Sequence, residues 1–288
     1  PLYWLGKAQR LNEVNRITGN ASVKYDVTQV PGLSLKASAY AYLFESLGQS
    51  FQSATQTYTQ MFATPPTFST SRDAIMSFSR TFQTQYNIVA NYAKTFWDKH
   101  NVSAMIAAEY FGQKNLFTQV YGQNAPTDDI STPNASTTFA TGNNTGTRSE
   151  FRIISNFGRL NYDFDQRYLL TLVYRIDATS SLAEENRSGF FPGMSAGWNI
   201  HREKFYKNSF LSKYISTLKP RISYGENGNI AGIGNYDVQG VYGSQGNYNG
   251  IGGFLNTGII NTSLRWEKSK TKDVGIDIGI LKNRITLI

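Results

Sequence analysis

The sequence predicts an all-β chain, an antiparallel transmembrane β-barrel with about ten strands. Three observations carry that prediction. The first is the rhythm of the connections. Val30-Pro31-Gly32 is a tight turn, and the next connection runs from about Glu45 into the seventies. Asp98-Lys99-His100-Asn101 is tight again, and the stretch after Gly112 wanders to Arg148. Asp163-Phe164-Asp165-Gln166-Arg167 is compact, a Gly/Asn-rich excursion runs from Gly225 to Ser263, and Lys282-Asn283-Arg284 is short. Tight turns at one end and long loops at the other are the plan of an outer-membrane barrel. The second observation is a period-two alternation sustained over unusual lengths. The third is 18 Tyr, 18 Phe and 4 Trp in a chain of 288 residues whose mean hydropathy is nevertheless negative. Its longest apolar run lies near Tyr168–Tyr174, far short of a spanning helix.

The strands follow in order. From Asn15 to Thr28, Ile17, Gly19, Ala21, Val23, Tyr25 and Val27 fall on one face; Arg16, Thr18, Asn20, Ser22, Lys24 and Asp26 fall on the other. Leu33, Leu35, Ala37, Ala39 and Ala41 continue the pattern beyond the Pro-Gly turn. Phe82 to Trp97 carries Tyr86, Ile88, Ala90 and Tyr92 on its apolar side, and Val102, Ala104, Ile106, Ala108 and Tyr110 answer it. Length separates membrane from soluble versions of this pattern. Strands of soluble domains run about 5–6 residues. The Asn15–Thr28 strand is about 14 residues long and reaches roughly 46 Å, whereas a tilted barrel strand crosses the bilayer in about 9–11 residues. Tyr25, Phe96, Trp97, Tyr162, Phe164, Tyr168 and Trp198 gather near the short-turn ends, where a headgroup-level girdle is expected.

Composition narrows the function classes. Cysteine is absent, so disulfides, thiolate metal sites and a Cys nucleophile are excluded. Only His100 and His201 supply imidazole, and neither a metal nor a cofactor is expected. The net charge of +8 is scattered through turns and alternate strand positions and forms no run, so no nucleic-acid partner is predicted. The opening Pro1-Leu2-Tyr3-Trp4 lacks the basic start and apolar core of a signal peptide, and the chain stops a few residues into a new strand. It is expected to be an internal piece of a longer protein.

From Phe157 onward the residues become specific. Phe157-Gly158-Arg159-Leu160-Asn161-Tyr162 followed by Tyr168-Leu169-Leu170-Thr171 resembles a hairpin of the SusC/RagA-type TonB-dependent transporters of Bacteroidetes outer membranes. Arg175-Ile176-Asp177-Ala178-Thr179-Ser180-Ser181 is similar to that family's Arg-x-Asp-Gly-Ser-Ser segment. Phe191-Pro192-Gly193-Met194-Ser195-Ala196-Gly197-Trp198 resembles its Phe-Pro-Ser-x-Ser-x-x-Trp strand, with Glu203-Lys204-Phe205 at its Glu-x-Phe position. Leu218-Lys219-Pro220-Arg221-Ile222-Ser223-Tyr224-Gly225, then Gly228-Asn229, is similar to Leu-Lys-x-Arg-x-Ser-Tyr-Gly-x-x-Gly-Asn. Leu264-Arg265-Trp266-Glu267, Gly275-Ile276-Asp277-Ile278-Gly279 and Asn283-Arg284-Ile285 resemble late-barrel strands. Two departures stand out. Ala178 replaces a Gly, so positive φ is not required there. Pro220 lies inside a strand, where it is expected only near a strand start or a bulge.

The resemblance implies a barrel of about 22 strands closed by an N-terminal plug, of which residues 1–288 form part of one barrel domain lacking the plug and the TonB box. It implies a cell outer membrane of Gram-negative, Bacteroidetes type. It also implies TonB as energy source through the plug, outer-membrane lipid around the wall, a SusD-like lipoprotein lid, and oligosaccharide or oligopeptide cargo. Short turns then face the periplasm and long loops the exterior.

Within the chain, Gly158, Gly193, Gly197 and Gly225 are expected at bends or close approaches of the sheet. Trp198 and Trp266 read as interface anchors or packing residues. Arg159, Arg175 and Asp177 read as a lumen-side charge network. Tyr121, Asn124, Tyr236, Tyr242, Tyr248 and Asn249 are candidate substrate contacts, because loop rings and amides suit sugars and peptide backbones. A siderophore receptor, or a barrel protease or phospholipase, is the alternative. The enzymes need a His paired with a carboxylate or Ser at the surface end, and both His lie near short turns. No catalytic residue is assigned.

Overall fold

The computed structural model describes residues 9–53, 58–60, 67–68, 71–139 and 142–287. The opening Pro1–Trp4 and the terminal Ile288 lie outside the described residues, so what was read from them stays with the sequence. The strands are β1 (Gln9–Asp26), β2 (Leu33–Gln52), β3 (Tyr58–Gln60), β4 (Thr67–Phe68), β5 (Asp73–Phe96), β6 (His100–Gln123), β7 (Thr138–Phe139) and β8 (Thr145–Phe164). They continue with β9 (Tyr168–Thr179), β10 (Ser188–Trp198), β11 (Ile215–Asn229), β12 (Tyr242–Tyr248), β13 (Ile251–Asn256), β14 (Glu267–Ile280) and β15 (Ile285–Leu287). One sheet runs β1-β2-β5-β6-β8-β9-β10-β11-β14-β15, with β7 added to β6. Each strand of that path pairs with the next one along the chain, which is the meander a barrel wall requires. Among the described residues no helix is long and apolar enough to cross a membrane.

The chain divides into two compact units, Pro1–Asn20, Tyr40–Thr84 and Gly112–Glu150 in one, Ala21–Ala39, Gln85–Phe111 and Phe151–Ile288 in the other. Every boundary falls inside a strand.

In the second unit the register makes the two faces explicit. Tyr162, Leu170, Ala196, Ile222 and Val274 stand side by side in one row across β8, β9, β10, β11 and β14. The next row, one residue along, is Asn161, Thr171, Ser195, Ser223 and Asp273. The period-two geometry sends these rows to opposite faces. The apolar face lies open: Ile88 is 64%, Ile154 61% and Val274 85% exposed. A water-facing protein rarely shows so continuous an apolar surface. Lipid suits it.

The first unit corrects the sequence reading of the loops. β5 and β6 each span 24 residues, so Asp73–Thr81 and Gly112–Gln123, read as loop, are strand. Glu45–Gln52 likewise extends β2. The physical reason is a polar ladder on the inward face. Thr81 Oγ1 donates to Asn115 Oδ1 (3.0 Å), Gln83 Nε2 to Gln113 Oε1 (2.8 Å) and Asn115 Nδ2 to Ser149 Oγ (3.3 Å). Side chains of this kind join strands through the same amides and hydroxyls that make up loops.

The tight turns hold to the sequence reading. Trp97 and Asp98 (φ 48° and 58°) and Asp165 and Gln166 (φ 52° and 54°) take the left-handed conformation in their hairpin turns. Gly32 (φ +93°) packs where any Cβ would meet the Ala93 carbonyl, so the Pro-Gly turn admits only glycine there. Successive turns also brace each other: Asp165 N donates to Lys99 O (2.6 Å) and Asn199 N to Arg167 O (2.7 Å).

Ala178 pairs within the sheet and has no positive φ, as its identity suggests. Pro220 departs from expectation: it is neither at the strand start nor at the bulge near Ile215. The ladder from β10 stops at Arg221, so the missing N–H falls where that neighbour no longer pairs. Gly158 does lie in a close approach, against the Tyr174 ring, but nothing crowds Gly225.

Candidate functional site

The inward face of the second unit carries a polar network spread over four strands. Gln85 on β5 donates to Glu109 on β6 (2.7 Å). Arg175 on β9 lies 4.0 Å from Glu109, donates from Nε to both oxygens of Asp177 (2.8 and 2.7 Å), and reaches Ser155 on β8 from Nη2 (2.9 Å). Its guanidinium also covers the Phe157 ring at 5.0 Å. Asp177 and Ser155 are almost fully buried. Arg175 and Asp177 therefore form the expected charge network. Arg159 does not join it: it is exposed and makes no ion pair among the described residues. Nearby, Gly193 faces Gly225 across the β10–β11 ladder and opens a recess of about 540 Å³ bordered by Arg175, Asp177 and Phe191. Lower on the same face, Asp277 takes Arg221 (3.0 Å) and Lys219 (3.6 Å). Apart from Arg159, the charges named here on this face are paired.

The loop candidates separate between the two units. In the first, Tyr121 ends up within β6, its backbone N–H held by Asn144 Oδ1 (2.7 Å) and its hydroxyl turned to Asp73. Asn124 follows the strand at φ 59° and its amide donates to Thr138 Oγ1 (3.1 Å), tying the strand end to β7. In the second unit, Tyr236 is 38% and Tyr242 65% exposed. Tyr248 closes β12, and its side chain lies outside the described residues. Asn249 and Gly250 (φ 49° and 81°) make the two-residue turn of the β12–β13 hairpin, so Asn249 has a backbone role of its own. The Gly/Asn-rich excursion thus contains structure that its composition hides.

Two residues were not singled out for what they do. Glu203, nearly buried, receives Arg167 Nη1 (3.1 Å), Trp198 Nε1 (3.2 Å) and the Tyr168 hydroxyl. Burial alone would raise its pKa, but these three donors and the Arg167 charge outweigh it and hold the carboxyl below its ordinary value. The same hydrogen bond to Glu203 raises the pKa of Arg167. Around this pin the girdle rings run in contact: Phe96, Trp97, His100, Phe164, Tyr168, Trp198 and Phe205, at centroid spacings from 4.9 to 6.3 Å. The sequence signal was the Glu five residues after the girdle Trp. Phe191 is the second. It is buried on the inward face beside Trp266 (5.3 Å), in space that a side chain at Gly189 or Gly228 would fill. Trp266 therefore packs, and its indole donates to Arg187 O (2.9 Å). His100 contacts the Tyr162 hydroxyl (2.9 Å) and His201 the backbone of Leu218 (3.2 Å).

A family model described as TonB dependent receptor-like, beta-barrel, matches residues 3–287. TonB-dependent receptor P3 of Formosa agariphila is 33% identical over 142 residues, covering 48% of this chain and 14% of that relative. TonB-dependent receptor SusC of Bacteroides thetaiotaomicron is 34% identical over 140 residues, covering 46% of this chain and 14% of that protein. The solved RagAB peptide transporter matches 99% of this chain with a TM-score of 0.81 and 22% identity, and the match covers 30% of the transporter chain. The RagAB peptide importer in its open-open state gives a TM-score of 0.82. The chain thus spans a minor part of each relative, and the fold it forms is part of a larger barrel. It belongs to the TonB dependent receptor-like β-barrel family.

Proposed function

We propose that this chain supplies wall and extracellular loops to an outer-membrane importer of oligosaccharides or oligopeptides, powered through TonB and covered by a SusD-like lipoprotein. In this reading residues 1–288 are part of one barrel domain, and the plug and TonB box belong to the rest of the protein. The observation that carries the reading is the two-faced sheet, apolar rows open on one side and paired polar rows on the other. Such a wall holds a water-filled passage within lipid.

The chain's own residues have definable parts. The Gln85–Glu109–Arg175–Asp177 network sets one guanidinium between two carboxylates and ties β5, β6 and β9 together on the inward face. Glu203 and the ring row stiffen the short-turn end, where pulling on a plug would load the wall. Tyr236 and Tyr242 present rings in the second unit's loop region, and Tyr121, Asn124, Tyr248 and Asn249 remain candidate cargo contacts. Support for a peptide cargo comes from the solved RagAB peptide transporter among the similar proteins.

The test is purification of the full-length receptor from outer membranes without crosslinking. A co-purifying lipoprotein with a trapped oligosaccharide or peptide is expected. A receptor that arrives alone and retains an iron chelate would overturn the reading.

A further inference from the structure

The outward face of the first unit holds a cleft of about 540 Å³ that the wall role leaves unexplained. Its lining combines Leu43, Phe82 and Leu116 with Arg80, Lys114 and Arg148. These residues share the strand parity of the open apolar face: Phe82 and Arg80 follow Tyr86 and Ile88 on β5, and Lys114 follows Ile106 and Tyr110 on β6. The intervening Thr81, Gln83, Gln113 and Asn115 make up the inward ladder. The cations thus stand on the outward face among apolar residues, Phe78 and Phe82 on β5 and Leu116 on β6. A separate outward position in the second unit also carries cations. There Ile278, Ile276 and Val274 on β14 are succeeded by Lys272, Lys270 and Lys268.

Charge bookkeeping within the cleft leaves a surplus. Glu45 pairs with Arg80 at 2.6 Å, and the single carboxylate of Glu150 lies 3.8 Å from Lys114 and 3.5 Å from Arg148. Three cations share two carboxylates, and the cation side chains stay 50%, 56% and 72% exposed. We propose that this cleft binds a phosphorylated membrane lipid, with its phosphate on Arg80, Lys114 and Arg148 and the start of its acyl chain over Leu43, Phe82 and Leu116. The cations meet a phosphate through charge-assisted hydrogen bonds. The apolar floor gains from a lipid chain and gains nothing from a free hydrated anion. The proposal rests on the outer-membrane reading, because only there does this face meet lipid.

The experiment uses the full-length receptor in detergent, with monophosphoryl lipid A as probe, read by native mass spectrometry. Phosphatidylcholine, which carries no net charge, is the comparator. Retention of lipid A over phosphatidylcholine is expected, falling about tenfold in the combined R80Q, K114Q and R148Q variant. Millimolar inorganic phosphate is expected to leave retention intact. Equal retention by the variant overturns the proposal. So does displacement by inorganic phosphate, which would mark a free-anion site. A combined E45Q and E150Q variant frees the cations and is expected to retain more lipid A, so the test stands even if the first variant fails to assemble. Unchanged or weaker retention in it counts against the proposal. A receptor absent from the outer membrane would sink the transport reading itself, whereas a membrane-embedded receptor without lipid preference sinks this inference alone.

Discussion

At the scale of single residues, Glu203 shows how much one carboxylate can organise. Its three donors come from a turn, a strand start and a strand end, so one side chain fixes two neighbouring hairpins and the girdle between them. Because its folded-state pKa is lowered, its contribution is fully present above the ordinary Glu value of 4.5 and is lost as pH falls through the depressed value. Glu203→Gln is expected to lower the thermal unfolding midpoint of the full-length barrel at neutral pH, by roughly 2 °C. The gap between variant and wild type should close as pH is taken below the ordinary Glu value. Differential scanning calorimetry in detergent at stepped pH checks this, and a gap that persists in acid would assign the effect to packing alone. Trp97 is the opposite case. A bulky residue at φ 48° is unfavourable in a hairpin turn that prefers Asn-Gly, and it sits there 83% exposed, in contact with His100. Its place in the ring row at the membrane's edge accounts for a residue the turn itself would not choose.

At the scale of the strand, the two faces of β6 should answer differently to the same insult. Ile106, 53% exposed on the apolar face, lies well inside the band, and Ile106→Arg is expected to cost about 2–4 kcal/mol. Ser103, on the inward face beside Asn101 and Asp163, should accept arginine with little loss. Urea titration of the barrel refolded into lipid vesicles compares the two. The contrast also explains what could be read in advance. Ile17 to Val27 and Tyr86 to Tyr92 alternate cleanly because one face must be apolar, so these strands were legible. Thr81, Gln83, Gln113 and Asn115 pair through amides and hydroxyls, which resemble loop composition, so the upper halves of β5 and β6 were not. The ring row was visible from its position near the turns, and Arg175 with Asp177 from its motif. Glu203 escaped because three partners distant in sequence meet on it, and Phe191 because its pocket is made by what Gly189 and Gly228 lack.

At the scale of the molecule, the sheet order, the register rows and the family agree on one arrangement: a meander with apolar and polar rows on opposite faces. The proposed import, lid and cargo involve the rest of the protein, whereas the sidedness of the wall depends on this chain. That sidedness can be measured directly. The chain has no cysteine, so single spin labels can be placed in a cysteine-free full-length receptor reconstituted in vesicles. Labels at Ile106→Cys, Leu170→Cys and Ile176→Cys are predicted to collide with dissolved oxygen and to be shielded from a water-soluble nickel chelate. Labels at Ser103→Cys, Thr171→Cys and Ser195→Cys are predicted to show the reverse. Equal access of the nickel chelate to both sets would contradict the account.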